Sequence, residues 1–222
     1  MIPEQKLVDE ARERAVQLVM PGFTTFDDVH ASVAEVFVDA SRDEALRHAY
    51  PIALGVWDAK LATEAAHVGQ GDYDRLVAAF DALDERGIVT RMNFSCCATC
   101  SFEEIDDERT PAQPDEYGYP WKHWGYAYFH GQDTQGVASR PGSLWLAFGA
   151  FVPRREFDAA AYDTARAGSH EANDRVWALA EEAAGRLVVE ALEAQGLRVE
   201  WSGSRRDRIS VVDLDWRKHV PR

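Results

Sequence analysis

GIVTRMNFSCCATC, residues 87–100, is where the periodicity of the chain changes. Before it, apolar residues recur every three or four positions, and Gly87 supplies the left-handed stop that ends a helix. After it, Ile88 to Phe94 reads as a strand that runs straight into Cys96, Cys97 and Cys100. Helices on one side of this stretch and strands on the other decide the class.

Upstream, residues 3–19 place Leu7, Val8, Ala11, Ala15, Leu18 and Val19 at helical spacing, with Pro3 suited to a first turn and Pro21-Gly22 as the stop. Thr25, followed three residues later by Asp28, resembles a capping box, and Val29, Val33, Val36 and Phe37 then form one apolar stripe. A weaker pattern runs from about Leu54 to Val68. Asp72 caps a fourth helix carrying Leu76, Val77, Phe80 and Leu83 inward.

Downstream, Ser101 to Glu108 is an acidic short helix and Pro111 to Pro120 a loop rich in Pro, Gly and Tyr. The aromatic strand Gly125 to His130 is answered by Leu144 to Phe151. The Asp133 to Gly142 segment between them is long for a hairpin and reads as a flap. Ser169 to Gly196 is one long helix, buried along Val176, Trp177, Ala180, Ala184, Leu187, Val188, Ala191 and Leu192. Leu197 to Trp201 and Ile209 to Leu214 form a second hairpin around Ser202-Gly203-Ser204. The expected fold is α+β: N-terminal helices followed by an antiparallel sheet covered by one long helix. Residues 1–70 form a helical region packed on the core, and residues 71–222 the α+β core.

Composition narrows the function classes. The chain has 222 residues, 46% of them hydrophobic and 28% charged, which is ordinary for a globular protein. No apolar run reaches the roughly 18 residues a membrane helix needs. The start, Met-Ile-Pro-Glu-Gln-Lys, has no basic stretch leading into an apolar one, so no signal peptide is read there. Three cysteines within five positions do not make a disulfide framework, which points to a reducing cytoplasm. A net charge of −14 repels phosphate backbones and anionic lipid, leaving a small molecule or a basic protein as partner rather than a membrane or nucleic acid. Arg205, Arg206, Arg208, Arg217, Lys218 and Arg222 make the C-terminus basic, which reads as a charged loop and a fraying tail.

Two constellations carry chemistry. Cys97-x-x-Cys100 has the spacing of a metal knuckle, whose thiolates hold a zinc ion at about 2.3 Å. It also has the spacing of a redox dithiol or nucleophile at a helix start, and of small residues packed where a strand turns. As a metal site it needs further ligands: Cys96, if the backbone turns sharply, and a histidine, His130 or His123. The second constellation is His130-Gly131-Gln132-Asp133-Thr134. His with Asp is the minimum for general acid–base work, and Gln132 and Thr134 offer hydrogen bonds to a ligand; ordinary turn chemistry fits the same residues. Tyr117, Tyr119, Trp121, Trp124, Tyr126 and Tyr128 line either a pocket or an aromatic sheet core. The chain has no P-loop, Gly-x-Gly-x-x-Gly, Gly-x-Ser-x-Gly or His-Glu-x-x-His, so an enzymatic activity is left open.

Asn93-Phe94-Ser95-Cys96-Cys97-Ala98-Thr99-Cys100, then His130-Gly131-Gln132-Asp133-Thr134, then Trp201-Ser202-Gly203-Ser204 ahead of Arg208-Ile209, resembles a family of bacterial proteins known as a domain of unknown function. In that family Cys-Cys-x-x-Cys, His-x-Gln-Asp-Thr and Trp-x-Gly before Arg-Ile recur in this order. The resemblance spans roughly Asp72 to Asp215. It departs at Ser101, where the family often has glycine. It implies no activity, but it does imply that the cysteines and the His-Gln-Asp-Thr stretch share one site.

The reading is therefore an intracellular ligand- or metal-binding protein with a Cys/His site. Cys97, Cys100 and His130 are its metal ligands, and Cys96, Gln132, Asp133 and Thr134 are further site residues. The alternative is a non-catalytic acidic partner-binding protein, such as a toxin-neutralising, immunity-like protein that meets a basic partner by charge.

Overall fold

The computed structural model describes residues 3–139 and 141–222. They fall into two compact units, one made of Met1–Asp74, Thr134–Gly142 and Asp215–Arg222, the other of Arg75–Asp133 and Ser143–Leu214.

The first unit is helical: α1 (Gln5–Val19), α2 (Phe26–Ala34) and α3 (Arg42–Ala66). The Thr25 hydroxyl accepts from Asp28 N at 3.3 Å, as the capping reading requires. Helix α3 begins a dozen residues earlier than its periodicity suggests. Ser41 and Glu44 close a reciprocal capping box there, and Pro51 sits inside the helix and obscures the pattern of its first half. Small residues dominate the core. Ala11, Ala15, Val19, Val29, Val33, Ala49 and Ala53 are fully buried, so the helices approach closely.

The basic C-terminal residues do not fray. Val220 is buried in this core, Trp216 Nε1 donates to Pro21 O at 3.0 Å, and Arg217 donates to Val68 O at 2.7 Å. Asp72 N donates to Asp215 O at 2.9 Å, and Val220 N to the Glu64 carboxylate at 2.8 Å. The tail is a strap whose positive charges come with backbone and core contacts that periodicity in so short a segment does not reveal. The 133–142 connection is also no open flap: Asp133–Ala138 winds into 3-10 turns, and Val137 is buried. Arg140 of that segment lies outside the described residues.

The second unit carries the sheet. Its elements are α4 (Asp72–Glu85), β1 (Ile88–Arg91), α5 (Ala98–Glu104), β2 (Gly125–Tyr128), β3 (Gly142–Ala150), α6 (Ala159–Arg166), α7 (His170–Ala194), β4 (Arg198–Glu200) and β5 (Ile209–Leu214). Gly87 ends α4 with φ 78°, the left-handed stop expected of it. The sheet order is β1-β2-β3-β5-β4. Both expected hairpin pairings form, β2 with β3 and β4 with β5, each antiparallel. The sheet is nevertheless mixed, because β1 pairs with β2 in parallel, Ile88 opposite Gly125 and Arg91 opposite Tyr128. Residues 92–124 form a crossover long enough to bring the chain back in the same direction, whereas a wholly antiparallel sheet needs a short turn at that point.

The two faces of the sheet differ. On one, Gly125 and Ala127 look toward α7. Gly185 of that helix has no room for a side chain, since a Cβ there would lie 2.7 Å from the rings of Phe148 and Trp201. On the other, Val89, Tyr126 and Tyr128 pack with Phe94, Ile105 and Phe151. Tyr126 and Tyr128 stack at 5.9 Å, and Tyr126 meets Phe151 at 5.1 Å. Of the two uses open to the aromatic strand, these residues serve the core, and burial pushes the Tyr126 hydroxyl up to about 12. Helix α6 is an addition to the elements read from the sequence: Asp158 caps it, accepting from Ala161 N at 3.0 Å. Among the described residues no helix is long and apolar enough to cross a membrane.

Candidate functional site

Strand β1 leaves the sheet at Arg91, and the chain then turns through two left-handed residues that are not glycine, Asn93 (φ 50°) and Ser95 (φ 57°). Each such residue costs on the order of 1 kcal/mol and persists only where its surroundings hold it. The holding bonds are visible. Phe94 N donates to Phe129 O at 2.8 Å, and Gly131 N donates to Ser95 O at 3.1 Å. The backbone beyond β1 thus stays alongside the backbone beyond β2. The cysteine stretch and the His130–Asp133 stretch are neighbours, as the resemblance implies.

The double turn delivers Cys96 and Cys97 into the start of α5, with Cys97 at the N-cap in extended conformation. Ser101, fully buried within α5, donates from its hydroxyl to Cys97 O at 2.9 Å and to Phe94 O at 2.8 Å. Residue 101 is therefore helical. The left-handed positions lie upstream, so a serine in place of glycine leaves the turn intact.

All three cysteines are free thiols. Cys100 Sγ lies 3.6 Å from Cys96 Sγ and 3.7 Å from Cys97 Sγ, and all three sulfurs fall within 4.8 Å of one another. Two sulfurs on one tetrahedral zinc, each about 2.3 Å from it, sit about 3.8 Å apart. The cluster accordingly has the geometry to hold a metal ion. Its thiols are unequal. The Cys100 backbone N–H at the helix start, followed by the Cys100 thiol, holds Cys97 below the ordinary thiol range. Cys100, hydrogen-bonded by Cys96 and Cys97, is pushed up to about 11. Three thiols this close cannot all ionise without a cation among them.

His130 is not a member of this sulfur group. It is 4% exposed, and its Nδ1 lies 3.2 Å from Asp133 Oδ2, within ion-pair reach but off the hydrogen-bond direction. Its backbone N donates to the same oxygen at 3.0 Å. Burial above all holds the imidazole below its ordinary value; Arg208 adds to that effect and Asp133 opposes it. The other candidate histidine, His123, is committed elsewhere: Nε2 sits 2.7 Å from Asp84, and Nδ1 accepts from Thr110 N at 3.1 Å. Gln132 is exposed, while Thr134 is buried and belongs to the first unit.

Asp133 is bound more firmly than the sequence suggests. Arg208 grips it with two parallel bonds, NH1 to Oδ1 at 2.8 Å and NH2 to Oδ2 at 2.7 Å, and also donates to Trp145 O at 3.0 Å. Arg208 is presented by the turn after β4, where Trp201 Nε1 donates to Ser204 O and Asp207 O at 3.1 and 3.2 Å. All three stretches that carry the resemblance therefore meet. The cysteines touch the His130–Asp133 stretch through Gly131 and Ser95, and that stretch is clamped by Arg208 from the third. Charge alone groups Arg208 with the basic tail; its place directly before Ile209 in the third motif is the signal that it belongs here.

Fold and site together define an α+β protein with a three-thiol cluster set beside a buried Asp–Arg clamp. The chain belongs to the family described as Domain of unknown function (DUF6891), whose model matches residues 4–220. Neither the curated proteins nor the solved structures contain a match.

Proposed function

We propose that the protein binds a zinc ion through Cys96, Cys97 and Cys100, and that the fourth coordination position is open to water or to an incoming ligand. The sulfur spacing of 3.6 and 3.7 Å carries this reading, because it matches the edge of a thiolate tetrahedron before any ion is bound. Three protein ligands with one open position is the arrangement of zinc sites that do chemistry, whereas structural sites are closed by four. Cys96 is exposed, so a ligand reaches the cluster from solvent. His130, buried and held below its ordinary value by that burial, is the acid–base group of the same site, and its backbone N–H to Asp133 ties that stretch in place.

Elemental analysis of the purified protein, paired with thiol titration, tests the proposal. One zinc per chain, with thiols that react only after a chelator is added, is the expected result. A metal-free protein that takes up no zinc and has three freely reactive thiols overturns it. In that case a second reading moves ahead, favoured by the net charge of −14: a non-catalytic protein that meets a basic partner by charge.

A further inference from the structure

The helical unit holds a cavity of about 280 Å³ whose wall includes Glu64, His67, Tyr73, Arg217, Lys218 and His219. Its acids and its bases are differently occupied. Glu64, 5% exposed at the side chain, accepts from Val220 N at 2.8 Å and lies 3.4 Å from His219 Nδ1 and 3.7 Å from the buried ammonium of Lys60. Asp74, also on the wall, accepts from Gly71 N at 3.2 Å. The carboxylates therefore already have partners. Two donors do not. His67 Nδ1 is buried with no hydrogen-bond partner among the described residues. Lys218, with three N–H bonds to offer, has one long contact to His219 O at 3.5 Å and otherwise faces the rings of Phe23 and Tyr73, 4.8 Å to each centroid.

An ammonium with N–H bonds to spare on the wall of a cavity calls for an acceptor inside it, and His67 in the tautomer that carries its proton on Nδ1 serves the same acceptor. The charge points the same way. Arg217 is paired with Asp215 and Lys60 with Glu64, so among the described residues Lys218 is the cation on this wall that has no carboxylate of its own. We propose that this cavity is a binding site for a small oxyanion, a phosphate or carboxylate group, held by Lys218 Nζ and His67 Nδ1–H. Burial lowers both Lys60 and Lys218, and the Glu64 carboxylate opposes that in each. A bound anion beside Lys218 favours its charged form. The site also gives the basic C-terminal strap a role beyond packing, since Arg217, Lys218 and His219 all come from it.

Calorimetric titration of the full chain with inorganic phosphate, and separately with acetate, at matched ionic strength provides the test. Saturable one-to-one binding is expected, weakened at least tenfold in Lys218→Met, which keeps the methylenes over the two rings, and in His67→Leu. Thermal unfolding confirms that each variant is folded. The anion that saturates tells a phosphate site from a carboxylate site. Cys97→Ser/Cys100→Ser must bind equally well, which separates this site from a metal-bound anion and its outcome from that of the zinc proposal. No saturable binding of either anion, or unchanged binding in a folded Lys218→Met protein, overturns the proposal.

Discussion

The cysteine cluster and the Asp133–Arg208 clamp lie side by side, yet their hydrogen-bonding states are opposite. Asp133 is 8% exposed, and both its oxygens are occupied, by two guanidinium N–H groups and one backbone N–H. The three thiols, exposed or half-buried, have one another as side-chain partners, at 3.6 and 3.7 Å, and Cys97 also has backbone N–H groups of the helix start. A closed network fixes geometry, whereas an open set of donor atoms at a ligand's spacing waits for something to fill it. On the zinc proposal the clamp is the support and the cluster the working part, and the two should respond differently to substitution.

The largest effect should come from breaking the support. Asp133→Ala removes the acceptor of the buried His130 N–H and of a half-exposed Arg208 guanidinium that keeps its bond to Trp145 O, at a cost of about 2–3 kcal/mol. Chemical denaturation should show that loss, and Asp133→Ala/Arg208→Ala should lose clearly less than the sum of the two single variants. Simple additivity would mean that the clamp is not a coupled unit.

Cys100→Ser acts on the other member of the comparison. It removes the sulfur that lies within 3.7 Å of both others, so zinc affinity should fall by at least about 100-fold, the upper end of what loss of an outer partner causes. Metal-free stability should move by less than about 1 kcal/mol, because the thiols are not core groups. Competition with a chromogenic chelator reads the first quantity and denaturation of the apo protein the second. A large apo destabilisation would make the cysteines structural.

How much of this is legible in the sequence follows from the range of each signal. Helices α4 and α7 show in periodicity and caps because every determinant lies within a few residues. The first half of α3 is hidden by Pro51, although Ser41 and Glu44 carry a readable capping box. The parallel partner of β1 is not readable, since alternation identifies a strand but not its neighbour. The cysteine spacing and the His130–Asp133 run are legible as local motifs. The Asp133–Arg208 bond joins residues 75 positions apart, and charge alone places Arg208 with the tail. Docking of that tail rests on Val220 and on backbone bonds, neither of which leaves a pattern in so few residues.

Ser101 joins the two members of the comparison at the level of the backbone, as its hydroxyl ties the loop carbonyl of Phe94 to the helix carbonyl of Cys97. Ser101→Gly removes both bonds and adds the entropy cost of glycine inside α5, together about 1–2 kcal/mol. Stability should fall by that amount, and zinc affinity should fall with it because the sulfurs lose their common anchor. If affinity holds while stability drops, the ion itself organises the loop and the spacing of the free thiols is incidental.

The smallest effect concerns His130, and its sign can be derived. Burial holds its folded value below the ordinary 6.5, so in that range the unfolded chain binds more protons than the native protein. Stability from this group is complete above about pH 6.5 and is lost as pH falls from there through the folded value. Below that point the loss levels off. His130→Leu keeps the volume without the titration, so wild type and variant should diverge between about pH 7.5 and 5, the wild type losing more as the solution turns acid. The change should be smaller than that of either clamp variant, because Asp133 opposes the effect of burial on this imidazole. Denaturation midpoints of the two proteins across that range measure the difference directly. Parallel curves would show that His130 does not titrate with folding, and its proposed acid–base role would then lose its basis.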